Sequence, residues 1–247
     1  MAVHGHAAGW RLMAASNASS LPPRLPGLSN MLRALQSHTS DDNPHVDCTI
    51  VALSYRGFWT SKGHPSQRGI ELDARAALHW IQQTYTPTEG DTRLVLWGQS
   101  IGAGVAAGAT AKHFQTKPDA ERHVRISGLI LETPFVSVRS MLVALYPQKW
   151  LPYRYLWPFL RNWWDSEAAL RSIASATAPE KFPVLVVAAE KDEVVPPDQA
   201  DQLERLGGSL GLRVERRVVP GALHTEAMAR QEGRSAVAEF LRRVTSS

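Results

Sequence analysis

The sequence predicts an α/β architecture: a mostly parallel central sheet with helices on both faces, in one domain. Three observations carry the prediction. Short apolar runs alternate with helical patterns along the whole chain. A glycine-framed serine sits between one such run and one such helix. An acid and a histidine follow later runs, each in a loop. The 247 residues suit one large domain, long enough to bury roughly three quarters of the unfolded surface without a disulfide or metal staple.

The composition narrows the class. At 44% hydrophobic and 20% charged, the chain is globular and not disordered as a whole. Its net charge is +4, from 27 basic and 23 acidic residues, with no basic block. That gives no support to nucleic-acid binding and leaves room for a mild attraction to anionic membrane surfaces. The lone cysteine, Cys48, excludes an internal disulfide and reads as a small buried hydrophobe. No apolar stretch is long enough for a transmembrane helix, and no signal peptide is visible.

In chain order, 16–30 is rich in Ser and Pro and reads as a loop. A short helix follows, capped by Ser29 and running from Met31 to Leu35. Buried strands are predicted at 48–53, 93–97 and 184–188, each short, rich in Val, Ile or Leu, and bounded by turn residues. A fourth, 126–131, is broken by Ser127-Gly128. A fifth, 213–219, alternates as an edge strand does. Helices are predicted at 70–83, with Leu72, Ala76 and Trp80 along one face, and at 104–114, 197–206 and 231–244. The segment 141–171 breaks the alternation. It holds Trp150, Tyr153, Tyr155, Trp157, Phe159 and Trp163 among prolines and reads as a cap inserted over a pocket.

Gly98-Gln99-Ser100-Ile101-Gly102 matches G-x-S-x-G, after a strand and before a small-residue helix. Such a turn is too tight for side chains at its flanks, hence Gly98 and Gly102. Ala103 and Gly104 then let the helix approach the sheet. The turn lifts the Ser100 hydroxyl to a helix N-terminus, whose N–H groups favour developing negative charge. Asp192, in Glu190-Lys191-Asp192-Glu193-Val194-Val195-Pro196, follows a late strand, where an orienting acid belongs. Glu190 and Glu193 read as solvated neighbours, and Glu132 is a rival acid. His224 lies after the last strand and before the last helix, completing the chain order Ser, Asp, His. His38, His64 and His113 read as solvated.

These residues predict nucleophilic acyl transfer. His224 takes the Ser100 proton, Asp192 fixes the imidazole, and two backbone N–H groups hold the oxyanion. One donor is Ile101; the other is His6, in His4-Gly5-His6-Ala7-Ala8-Gly9. The chemistry needs no metal and no organic cofactor.

His4-Gly5-His6-Ala7-Ala8-Gly9 resembles the H-G-N-A-G element of eukaryotic membrane-anchored α/β-hydrolase-domain proteins, nearest to the fungal bud-emergence-related (Bem46-like) branch. Tyr55-Arg56-Gly57-Phe58, Ser61-Lys62-Gly63-His64-Pro65-Ser66 and Leu131-Glu132-Thr133-Pro134-Phe135 extend the resemblance over nearly the whole chain. It implies the α/β-hydrolase fold and an esterase, thioesterase or lipase-like activity on acyl esters or thioesters. It also implies an intracellular, membrane-associated full-length protein. Ser54 stands where the family commonly has Asp. In the family, strands precede the H-G element, whereas here only Met1-Ala2-Val3 do. The expectation is therefore a chain lacking its N-terminal strands, less stable and less active than a longer form. Two alternatives remain open: a catalytically impaired relative acting as an interaction protein, and a serine peptidase. Ser100 argues against the fold relatives that use an Asp nucleophile, such as dehalogenases and epoxide hydrolases.

Overall fold

The computed structural model describes residues 9–15, 21–36, 47–85, 92–116, 124–145, 162–177 and 181–246. Strand β3 (Thr92–Gln99) shows why a parallel sheet forms. Leu94 and Leu96 enter one apolar layer, while Val95 and Trp97 enter another. Both faces are covered, so the strand reads as one continuous apolar run rather than an alternation. The same division holds in β4 (Val124–Glu132), where Leu129 and Leu131 oppose Ile130. In β5 (Pro183–Ala189), Val184 and Val186 oppose Leu185 and Val187.

With β1 (Gly9–Ala15), β2 (Asp47–Leu53) and β6 (Arg213–Val219), these strands form a six-stranded sheet in the order β2-β1-β3-β4-β5-β6. Every pairing is parallel. All carboxyl ends therefore share one edge, where ligands of open α/β sheets bind. The five sequence-predicted strands are all present, and β6 is an edge strand as expected. β1 is additional. It lies between β2 and β3, with Ala15 paired to both Leu53 and Gly98. The stub at 1–3 and the H-G element as far as Ala8 lie outside the described residues, while Gly9 opens β1.

Helices α2 (Gln67–Thr84), α3 (Ile101–Gln115), α5 (Ser166–Thr177) and α6 (Asp198–Ser209) cover one face of the sheet; α1 (Leu25–Gln36) and α7 (Gln231–Ser246) cover the other. A short α4 (Val138–Leu145) follows β4. Ser66 caps α2, its side chain accepting from the Gly69 N–H at 3.2 Å.

Three local expectations are corrected. Ser29 lies inside α1 instead of capping it, because Pro26 occupies the first turn, where a missing N–H costs nothing. On α2 the core-facing residues are Ile70, Ala74, Leu78 and Ile81, while Leu72, Ala76 and Trp80 are exposed. Of the segment expected to form a cap, 146–161 lies outside the described residues, and the C-terminal end belongs to the main layers. From Ser166 the chain is α5, which buries Ala169, Leu170 and Ile173 in the main core. Trp163 is exposed and Trp164 is buried, whereas Trp150, Tyr153, Tyr155, Trp157 and Phe159 lie outside the described residues.

Candidate active site

Ser100 follows the last residue of β3 with φ 55° and ψ −121°, a conformation outside helix and strand. Gly98 makes that turn feasible. A Cβ there would lie 1.9 Å from the Gly102 carbonyl oxygen. Gly104 has a different role from the one expected, since a Cβ there would crowd Trp164 at 3.2 Å and not the sheet. Ile101 opens α3, and the first N–H groups of a helix have no intrahelical acceptor.

The elbow is held from below by Glu132, at the end of β4. The Glu132 carbonyl accepts the Ser100 N–H at 2.9 Å. Its side chain is fully buried and accepts from Trp97 Nε1 (3.0 Å), Gln99 Nε2 (2.8 Å) and Arg24 Nη2 (3.0 Å). Arg24 also donates to Gln99 Oε1. Glu132 is thus committed to a structural network and is not placed as a rival to Asp192. Arg24 was not anticipated, and no local pattern marks it, because it lies 108 residues from its partner.

Asp192 follows β5 and His224 follows β6, both at the carboxyl edge that carries Ser100. His224 Nδ1 lies 3.0 and 2.9 Å from the two Asp192 oxygens. Asp192 Oδ1 also accepts the N–H groups of Val194 (2.9 Å) and Val195 (2.7 Å). Burial by itself raises the Asp192 pKa. The bonds from His224, Val195 and Val194 outweigh it and hold the carboxyl below the usual range. Both side chains are almost fully buried, at 7% and 6% exposure, so solvent screens the pair weakly.

Glu190 and Glu193 do more than face solvent. Glu193 Oε2 accepts the His224 N–H at 2.9 Å, and Glu190 Oε2 accepts the Gly221 N–H at 2.7 Å. Lys191 N–H donates to the Ala222 carbonyl at 2.9 Å. The acid loop and the histidine loop are laced together through four consecutive residues, 190–193. Among the described residues no hydrogen bond joins the Ser100 hydroxyl to His224. Such bonds are often long before substrate binds. His6 lies outside the described residues. A buried apolar group of Tyr55, Phe135, Trp164 and Val195 occupies the same edge, with Ile101 packed against it.

This sheet order, with a serine elbow on β3 and an acid and histidine after β5 and β6, is the α/β-hydrolase fold. The esterase Pf2001 from Pyrococcus furiosus superposes with a TM-score of 0.63 at 18% identity, covering 96% of this chain and 83% of that one. Homologues by sequence include protein Bem46 of Schizosaccharomyces pombe, 35% identical over 164 residues, 66% of this chain and 48% of that protein. They also include the lysophosphatidylserine lipase ABHD12 of Danio rerio, 34% identical over 154 residues, 60% of this chain and 36% of that protein. The chain therefore spans about half the length of Bem46. No protein-family model matches it.

Proposed function

We propose that the chain is a serine hydrolase that cleaves carboxylic esters or thioesters of lipid-like or acyl-protein substrates through an acyl-enzyme on Ser100. The observation that supports this reading best is the buried Asp192–His224 pair, at 2.9 Å, on the sheet edge that carries the strained Ser100 elbow. Asp192 accepts the Nδ1 proton, which leaves Nε2 as the base. Nε2 takes the Ser100 proton as Oγ attacks the acyl carbon, then returns it to the leaving alcohol or thiol. Water repeats the cycle on the acyl-enzyme and frees the acid.

The Ile101 N–H, and by family resemblance the His6 N–H, hold the oxyanion, each worth about 3 kcal/mol of barrier. The apolar group beside Ile101 suits an acyl chain. Relatives named as an esterase and a lysophosphatidylserine lipase favour esters over peptides.

A fluorophosphonate probe tests the reading. It should label the wild type and not Ser100→Ala, and p-nitrophenyl esters should be cleaved faster than aminoacyl anilides. Labelling that survives Ser100→Ala removes the proposed nucleophile. A folded wild type that takes no label is instead the interaction protein.

A further inference from the structure

We propose that the outward face of α2, together with the β2–α2 loop at its head, docks on an anionic lipid surface. Helix α2 already satisfies the core through Ile70, Ala74, Leu78 and Ile81. Its other side nevertheless carries Leu72 at 47% and Trp80 at 49% exposure. At 100° per residue, Arg68, Leu72, Arg75, Ala76, His79 and Trp80 fall within an arc of about 140°. All six are exposed. The loop ahead of the helix presents Trp59 at 56% exposure, with Lys62 and His64 exposed beside it.

That loop is built to hold an exposed tryptophan. The Phe58 and Ser61 N–H groups donate to Tyr55 and Phe58 carbonyls at 3.1 and 2.9 Å. Ser54 and Ser61 hydroxyls close the turn on the carbonyls of Phe58 and Ser54. Trp59 itself sits at φ 48°, a left-handed conformation that costs a bulky residue free energy.

The charges choose the partner. Between positions 54 and 84 the only acids are Glu71 and Asp73. Each is already occupied, Glu71 by Lys112 and Asp73 by Arg56. Lys62, Arg68 and Arg75 have no ion pair or hydrogen bond among the described residues. A face that, among the described residues, has unpaired cations, no free acid, and exposed Trp and Leu between them matches a headgroup layer. Arg and Lys meet anionic phosphates, and the indoles enter the boundary with the acyl chains. The loop begins where β2 ends, so the loop end of this face borders the sheet edge that carries Ser100. Docking does not depend on the catalytic reading, although it would bring a lipid substrate to that edge.

Co-sedimentation of the chain with phosphatidylcholine vesicles, with and without phosphatidylserine, tests the proposal. The wild type should bind the serine-containing vesicles and release them at high salt. The double charge reversal Arg68→Glu/Arg75→Glu should weaken that binding by at least about 30-fold, at roughly fivefold per cation removed. Leu72→Ser/Trp80→Ser should weaken it as well. Both variants should keep the wild-type circular dichroism spectrum and melting temperature, and the same rate on a water-soluble ester where one is cleaved. Equal vesicle binding by the variants, no binding by the wild type, or binding to RNA or an acidic peptide in place of vesicles would each overturn it.

Discussion

Glu132→Ala should cost this fold as much as truncating a large core side chain, because it takes the carboxylate from three donors at once. The buried Trp97 Nε1 and Gln99 Nε2 both lose the carboxylate they donate to. It also leaves Arg24, only 14% exposed, without its counter-charge. Breaking a buried ion pair by removing one partner costs about 3–5 kcal/mol, a range that already includes most of the donor desolvation. Arg24 can turn partly toward water, so about 4 kcal/mol is expected. For a chain of this size that lowers the melting temperature by about 10 °C.

A double-mutant cycle isolates the cause. Arg24→Met removes the stranded charge, so the double variant should be about 2 kcal/mol more stable than the sum of the singles predicts. Urea or thermal unfolding of the four proteins measures this. Strict additivity, or a Glu132→Ala protein as stable as the wild type, would refute the role given to the network. Under conditions where the variant is folded, probe labelling of Ser100 should also slow, since Gln99, the residue before Ser100, loses the carboxylate that holds its side chain.

Gly98→Ala should yield protein that neither folds to the wild-type melting temperature nor takes the fluorophosphonate label, because a Cβ meets the Gly102 carbonyl at 1.9 Å. Asp192→Asn should keep the fold but lower kcat by about 10⁴, through the wrong imidazole tautomer, as steady-state ester hydrolysis would show. Asp192 also shapes acid stability. Its pKa is lowered in the fold, so its stabilisation is fully present above the ordinary carboxylate pKa of about 4 and is lost as pH falls through the lowered value. An acid titration followed by circular dichroism should therefore be less steep below about pH 4 in Asp192→Asn than in the wild type. Glu193→Ala removes the acceptor of the His224 N–H and should lower kcat with little change in KM, a split that steady-state kinetics would read.

Much of this arrangement was legible because it follows from local patterns. The run Leu94-Val95-Leu96-Trp97 is apolar at both parities, which only a strand covered on both faces requires. The elbow announces itself through glycines that the turn demands, and the acid and histidine follow from chain order. What escaped depends on distant partners. On α2, Ile70/Ala74/Leu78 and Leu72/Ala76/Trp80 have the same spacing, and only the position of the sheet decides which series is buried. The first turns of α1 were hidden by Pro22, Pro23 and Pro26, which read as loop although a proline in the first turn is tolerated. The segment Gly9–Ala15, with a glycine, an arginine and two terminal alanines, has little strand propensity, and its extended form comes from the slot between β2 and β3. Glu132 read as a rival acid because Arg24, its partner, is remote in sequence.

The position of β1 has a dynamic consequence. Among the described residues it is the sole ladder partner of β2, so β2 joins the sheet only through it. Opening events must then be nested: β2 can peel away while β1 stays, but β1 cannot leave without releasing β2. Amide protons in β2 should exchange with solvent no more slowly than those of β1, and both before the β3–β4–β5 ladders. The flank bearing the basic tryptophan face thus opens before the centre of the sheet.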